Sequence, residues 1–437
     1  MTAEPEEAGS SSAFQEFFRT ETATGVVLVS CALAALLAAN SPWASQYHHV
    51  WMTPVRVGIG DRVMSLTLHQ WINEGLMAVF FLLVGLEIKR EVLAGELASL
   101  RRAALPVAGA LGGMLVPAVI YLATARGGLD ARGWAIPMAT DIAFALGTLS
   151  LVAPRAPTGL KIFLAALAIV DDMGAVLVIA VFYTHEIAWR AGSMAGIVLA
   201  LLITLNVLRI RRLAPYLILG AVLWLLTFAS GVHATIAGIV LAFVVPTRTR
   251  INAAQYSASV RRLLDLFDST ETGDLLVLTS KGQQEALFGM ERLGDSVTAP
   301  LLRLEHALHG LSAFVIMPLF ALSNAGVTLA GSSGRHLTLA VLLGLAVGKP
   351  LGIMAGAFVA VRMRVAALPA DVSWTMVHGC AWLGGIGFTM SLFIATLAFD
   401  GTGLLDSAKI GIVAGSALSG VVGMVLLRDR RVPGSER

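Results

Sequence analysis

Long apolar runs recur along this chain, and no other feature restricts its fold so strongly. They occupy residues 22–40, 70–88, 104–124, 134–153, 158–183, 191–208, 213–230, 232–246, 305–330, 337–361, 373–399 and 406–428. A helix that crosses the hydrocarbon core of a bilayer takes about 20 such residues. In lipid, every backbone N–H and C=O must be satisfied within the protein, so runs of this length fold as helices. The seventh and eighth runs are parted only by the Ser230-Gly231 corner. Charged residues make up 14% of the chain, against about 25% in soluble domains. That balance excludes a water-soluble enzyme and a disordered chain. The class to expect is an all-α polytopic membrane protein with about twelve transmembrane helices.

Lys and Arg set the orientation. With the amino terminus in the cytoplasm, 23 of the 31 fall on that face and 7 on the other, with Lys349 inside a run. Both termini are therefore expected in the cytoplasm. The tail 1–21 carries Glu4, Glu6, Glu7, Glu16 and Glu21 but only Arg19. It lacks the basic start of a signal peptide, so the first run is expected to stay as a helix. Membrane segments span 22–246 and 305–428, and 429–437 is a second short tail. Net charge is only +3, which gives no reason to expect a nucleic-acid partner. Cys31 and Cys380 lie far apart in apolar sequence and make no disulfide framework.

Two loops are long. Residues 46–69, outside, read as a hairpin: Val55, Val57 and Ile59 alternate, and Gly60-Asp61 turns. A two-stranded hairpin is marginal alone, so it either pairs with a second copy of the chain or is a plain surface loop. The cytoplasmic loop 247–304 is polar, with apolar residues at helical spacing in 260–267 and 284–293. One or two amphipathic helices are expected there, as a solvated insertion or as a regulatory lid.

Charge near the bilayer centre costs about 2.5–3.5 kcal/mol per residue on insertion scales, so it needs a partner, water or a job. The mid-span ionisable residues are Asp141, Asp171, Asp172, His233, Lys349 and His378. Their carboxylate excess suits a cation or transferable protons. Adjacent helical residues point about 100° apart. One of Asp171 and Asp172 can therefore face a cavity while the other faces a neighbouring helix. Two close carboxylates also split their titration. Lys349 pairs with one of them, as a structural ion pair or as part of the exchange. Pro137 interrupts the fourth run beside Thr140 and Asp141, and Gly384, Gly385 and Gly387 interrupt the eleventh. If runs 3–5 and 10–12 are repeats, the two breaks correspond, and paired broken helices point to a transporter site at the midplane. Crossing there, they leave partial charges of both signs. Asp141 would offset the positive ends and Lys349 the negative ones. His233 is a structural histidine or a titrating one.

Together these residues resemble the NhaA family of bacterial sodium/proton antiporters. The similar strings are FFLLVGLEIKRE at 80–91, GWAIPMATDIAFALG at 133–147, KIFLAALAIVDDMGA at 161–175, SGVHATIAG at 230–238, RLEHALH at 303–309, PLFALSNAGV at 318–327, GKPLGI at 348–353 and GIGFTMSLFIA at 385–395. The resemblance implies inverted repeats with crossed discontinuous helices four and eleven. It implies that Asp171 and Asp172 bind the transported Na⁺ or Li⁺ and carry protons, with Asp172 the main ligand and Asp171 able to pair with Lys349. Thr140 and Asp141 would assist. A pH-sensing cluster would comprise Glu87, Arg90, Glu91 and Glu305, with His233 linked to the response. The outer hairpin would serve a homodimer. The chain departs from the family pattern in the length of loop 247–304, in Leu302 before Arg303, and in Glu74, where aspartate occurs.

Three other functions compete. An intramembrane aspartyl protease also uses two membrane aspartates, but on separate helices, one of them in a Tyr-Asp string that this chain lacks. A sodium-coupled symporter of an organic solute needs a second polar cluster for the solute. A channel needs an open path. The expected function is electrogenic exchange of Na⁺ or Li⁺ for H⁺ in the bacterial inner membrane, activated at alkaline pH, without enzymatic chemistry or a cofactor.

Overall fold

A computed structural model describes residues 6–59, 62–183, 188–249, 251–269, 280–328 and 334–428. Seven of its helices are long and apolar enough to cross a membrane: Leu68–Ala94, Leu100–Thr124, Thr158–Phe182, Trp189–Val207, Pro300–Asn324, Arg335–Arg362 and Leu405–Leu427. Ten spans result if each of three bent helix pairs counts as one. Leu213–Ala229 and Thr235–Val244 are shorter apolar helices. Each apolar run of the sequence falls on one of these helices or pairs. The tail 429–437 and the Gly60-Asp61 turn lie outside the described residues.

Two of the bent pairs are the expected broken spans. Asp130–Met138, wound as a 3-10 helix, continues after a 43° bend as Ile142–Val152. Trp374–Gly384 continues after a 41° bend as Phe388–Phe399. A long helix precedes and follows each of them: Leu100–Thr124 and Thr158–Phe182 around the first, Arg335–Arg362 and Leu405–Leu427 around the second. The third bent pair was not anticipated. The helix Glu6–Ala39 is followed, after a turn of 114°, by Ala44–Met52. The outer hairpin is correspondingly shorter than its expected span of 46–69. Its strands are Pro54–Ile59 and Arg62–Thr67, antiparallel, with Val55 opposite Leu66 and Val57 opposite Met64. Residues 46–52 are helical, and Leu68 opens the next helix, where Thr67 and Gln70 form a capping box. A Gly-x-Gly-Asp string at 58–61 begins in the first strand, and its Gly60 and Asp61 lie outside the described residues.

Small residues set how closely the helices approach. Between Leu100–Thr124 and Arg335–Arg362, a Cβ on Gly112 would lie 2.0 Å from the Gly352 carbonyl oxygen, and one on Gly352 would lie 2.1 Å from that of Gly112. The two backbones therefore touch, as small residues allow between membrane helices. The contact fixes the depth at which Lys349, one turn before Gly352, enters the interior.

The long loop folds as two amphipathic helices, Ala253–Ser269 and Lys281–Val297, packed against each other. Leu263 fits over Gly289 at their contact.

Candidate ion-binding site

The breaks of the two broken spans meet in the interior. The Asp141 N–H donates to the Ile386 carbonyl at 2.7 Å, and the Ser391 hydroxyl to the Ile136 carbonyl at 2.8 Å. Interrupted backbone at this depth survives only where protein satisfies it, and here each break supplies partners for the other. The Asp141 carboxylate caps two half-helices at once. One oxygen accepts from the Phe144 N–H at 3.2 Å, and the other from the Thr389 N–H at 3.1 Å and from the Thr389 hydroxyl. A negative group thus sits at the positive ends of Ile142–Val152 and Phe388–Phe399. Lys349 does the converse, donating to the Met138 carbonyl at the negative end of the 3-10 half-helix. Both follow the offsets of charge expected from the sequence.

Asp171 and Asp172 face different ways, as neighbours on a helix must. Asp171 pairs with Lys349, Oδ2 to Nζ 2.6 Å, and neither side chain is exposed. Thr140 Oγ1 lies 2.7 Å from Asp171 Oδ2 and 2.8 Å from the Gly384 carbonyl oxygen. One hydroxyl hydrogen serves only one of these acceptors at a time. Asp172 instead lines a cavity of about 80 Å³ shared with Glu87, Asp141, His309, Ser312 and Thr389. Among the described residues, the buried Asp171 Oδ1 and Asp172 Oδ1 find no hydrogen-bond partner. A buried carboxylate oxygen left this way is costly unless a cation or a proton meets it. The carboxylates of Asp171, Asp172 and Asp141 and the hydroxyls of Thr140 and Thr389 are hard oxygen donors, which suit an alkali cation or H⁺.

A second cavity, about 650 Å³, adjoins the first through Glu87, Ile142 and His309, and opens past Arg90, Glu91 and Glu305 to Thr298 and Leu302. Arg90 joins two carboxylates there, Glu305 at 2.5 Å and Glu91 at 3.3 Å, and the buried Glu305 Oε2 has no hydrogen-bond partner among the described residues. The structure thus gathers Glu87, Arg90, Glu91 and Glu305 around one funnel. His233 is not with them. Its Nε2 bonds the Tyr183 carbonyl at 2.9 Å and its Nδ1 lies 3.7 Å from Glu74. Glu74 is about 20 Å from Glu87 along their common helix. Pro137 lies in the first half of one broken span, one residue before Met138, whose carbonyl Lys349 meets. Gly384, Gly385 and Gly387 flank the other break, and a Cβ on Gly385 would lie 2.6 Å from the Leu345 carbonyl oxygen.

Sequence reasoning missed Thr389, the partner of Asp141, and His306 and His309, which line the funnel. The histidines had a visible signal. They follow Glu305 at one and four positions, and the second of these places His309 one turn further into the protein. Two π-helical turns lie in the same region, Ser312–Ile316 beside the small cavity and Gly344–Gly348 just before Lys349, while Trp71–Leu76 is a third at the hairpin end. Such turns occur often at functional sites.

A polytopic helical protein whose two broken helices meet over buried carboxylates belongs to the class of secondary transporters. The model of the Na⁺/H⁺ antiporter 1 family matches residues 15–427, and the chain belongs to that family. It is 47% identical over 419 residues to the Na⁺/H⁺ antiporter NhaA of Oleidesulfovibrio alaskensis, covering 95% of this chain and 93% of that one. To the Na⁺/H⁺ antiporter NhaA of Koribacter versatilis it is 47% identical over 97% of this chain and 93% of that protein. To the Na⁺/H⁺ antiporter NhaA 2 of Helicobacter hepaticus it is 43% identical over 95% of both chains.

Proposed function

We propose that this protein exchanges Na⁺ or Li⁺ for H⁺ across the bacterial inner membrane, with both termini cytoplasmic, so that it extrudes sodium and regulates internal pH. The observation that carries the reading is the placing of Asp172, half of an adjacent aspartate pair, on a small cavity beside the buried Asp171–Lys349 pair. A cation entering by the funnel meets Asp172 and Asp171 and displaces protons. Lys349 loses its hold on Asp171 as that carboxylate turns to the cation. When the cation leaves, protons and the Lys349 pair restore the empty site. Net charge moves in each cycle, so the membrane potential drives exchange at about 2.3 kcal/mol per charge per 100 mV. Glu87, Arg90, Glu91 and Glu305, with His306 and His309, line the mouth, and alkaline activation is assigned to this cluster. His233, away from this funnel, affects the response through Glu74.

The test is reconstitution in vesicles with an imposed pH gradient and a pH-sensitive dye. Addition of NaCl or LiCl, but not KCl, is expected to collapse the gradient, more steeply at alkaline pH. Asp172→Asn should abolish the response in correctly inserted protein. Normal Na⁺-dependent proton movement by that variant would remove Asp172 from the site. No response of the unaltered chain to any cation would overturn the function itself.

A further inference from the structure

One polar cluster in the membrane interior has no part in the site above. His69, Asn73 and Asn324 form a closed ring of hydrogen bonds. With its proton on Nε2, His69 donates to Asn324 Oδ1 at 3.2 Å and accepts at Nδ1 from the Asn73 amide at 3.3 Å, while Asn324 Nδ2 donates to Asn73 Oδ1 at 3.0 Å. The Thr396 hydroxyl lies 3.4 Å from Asn324 Oδ1 and 3.0 Å from the Leu392 carbonyl oxygen of its own helix. Asn73, Asn324 and Thr396 are buried, and His69 is half-buried at the hairpin end of the molecule.

The position of this cluster is the informative part. Along Leu68–Ala94, the funnel residues Glu87, Arg90 and Glu91 come last, the cavity residues Phe80 to Glu87 precede them, and Asn73 and His69 come first. Along Pro300–Asn324, the order is Glu305 and His309, then Ser312 and Met317, then Asn324. Asn324 is two turns beyond Met317, and Thr396 is two turns beyond Thr389. Each step is about 10 Å. Two helices therefore agree that funnel, carboxylate cavity and polar ring lie in sequence, with the ring on the far side. Between cavity and ring stand Phe81, Phe320 and Phe393, which are 2%, 0% and 1% exposed. The Phe393 ring is 5.2 Å from that of Phe81 and 6.2 Å from that of Phe320, centre to centre.

From this order we infer that the His69–Asn73–Asn324–Thr396 cluster is the exit station for the transported cation on the face opposite the funnel, closed off from the carboxylates by the three phenylalanines. The inference rests on the exchanger reading, because a site alternately exposed needs a second route. Amides and hydroxyls are expensive to bury in place of apolar side chains, and here they gather at one depth on three separate helices. Their uncharged oxygens hold a monovalent cation weakly, which release requires, and an apolar constriction gates by excluding water.

The experiment is single-cysteine labelling in the Cys31→Ser, Cys380→Ser background, with a membrane-impermeant cationic methanethiosulfonate applied to one face or the other. Thr298→Cys marks the funnel face. Asn73→Cys and Thr396→Cys should react only from the opposite face, and Phe393→Ala should make Thr396→Cys reactive from the funnel face as well. Two positions are used so that one poorly inserted variant does not decide the matter. Reaction from the funnel face without Phe393→Ala, or no reaction from either face in inserted protein, would overturn the exit. Labelling does not require turnover. A chain that labels as expected but moves no Na⁺ defeats the exchanger reading, and one that exchanges but labels otherwise defeats the exit alone.

Discussion

Lys349 and Asp171 stand 2.6 Å apart with no exposure to solvent, and the energetics of such a pair are asymmetric. Removing one partner leaves a bare buried charge and costs about 3–5 kcal/mol, whereas replacing both with uncharged groups is often near neutral. Lys349→Met should therefore lower the thermal unfolding midpoint in detergent by a large margin, and adding Asp171→Asn should recover most of it. An unchanged midpoint for the single variant would mean the pair is not formed. At this scale the sequence was readable where chemistry is local. The 100° offset of adjacent aspartates already required two roles, and the structure distributes them as Lys349 pairing and cavity lining. The choice of Asp171 over Asp172 as the Lys349 partner stayed open without the family resemblance, because both lie within one turn. The Asp141–Thr389 bond joins residues 248 positions apart, and no local spacing announces such a contact.

Among the elements, the broken spans were legible because proline and a glycine run each leave a mark that helix cannot hide. The sharp bend into Ala44–Met52 was not. That segment is short and follows Pro42, so it merged with the hairpin. The polar ring was missed for a related reason: His69, Asn73, Asn324 and Thr396 each read as a lone polar residue near a span end. The two helices of the long loop were visible from their periodicity, but periodicity does not say what they cover. They pack on each other, and the loop meets the funnel at Thr298, beyond the second helix. Replacing residues 253–296 with a short flexible linker should therefore leave the pH profile of exchange unchanged. A displaced profile would make the pair of helices a lid.

For the whole molecule, the apolar runs were enough to fix a polytopic helical class, since bilayer thickness leaves few alternatives. Assembly is less constrained by the chain itself. The hairpin is short and mostly exposed, and among the described residues its two strands pair only with each other; unpaired strand edges seek pairing. We propose that it makes a homodimer contact. Val57→Pro, which removes a strand N–H, should shift the detergent-solubilised protein towards monomer in light scattering. A dimer that persists undiminished would place the contact elsewhere.

The seam where Gly112 meets Gly352 has a consequence for inheritance. Every single-base change in a glycine codon that alters the residue adds a side chain, and a Cβ at either position would strike a carbonyl oxygen at about 2 Å. These two codons therefore have no mild neighbours. Drift can rewrite the lipid-facing leucines and valines one step at a time, but it has no such path through the seam. The approach of the two helices, and with it the placement of the one buried lysine among the mid-span charges, is held by what the genetic code leaves out of reach.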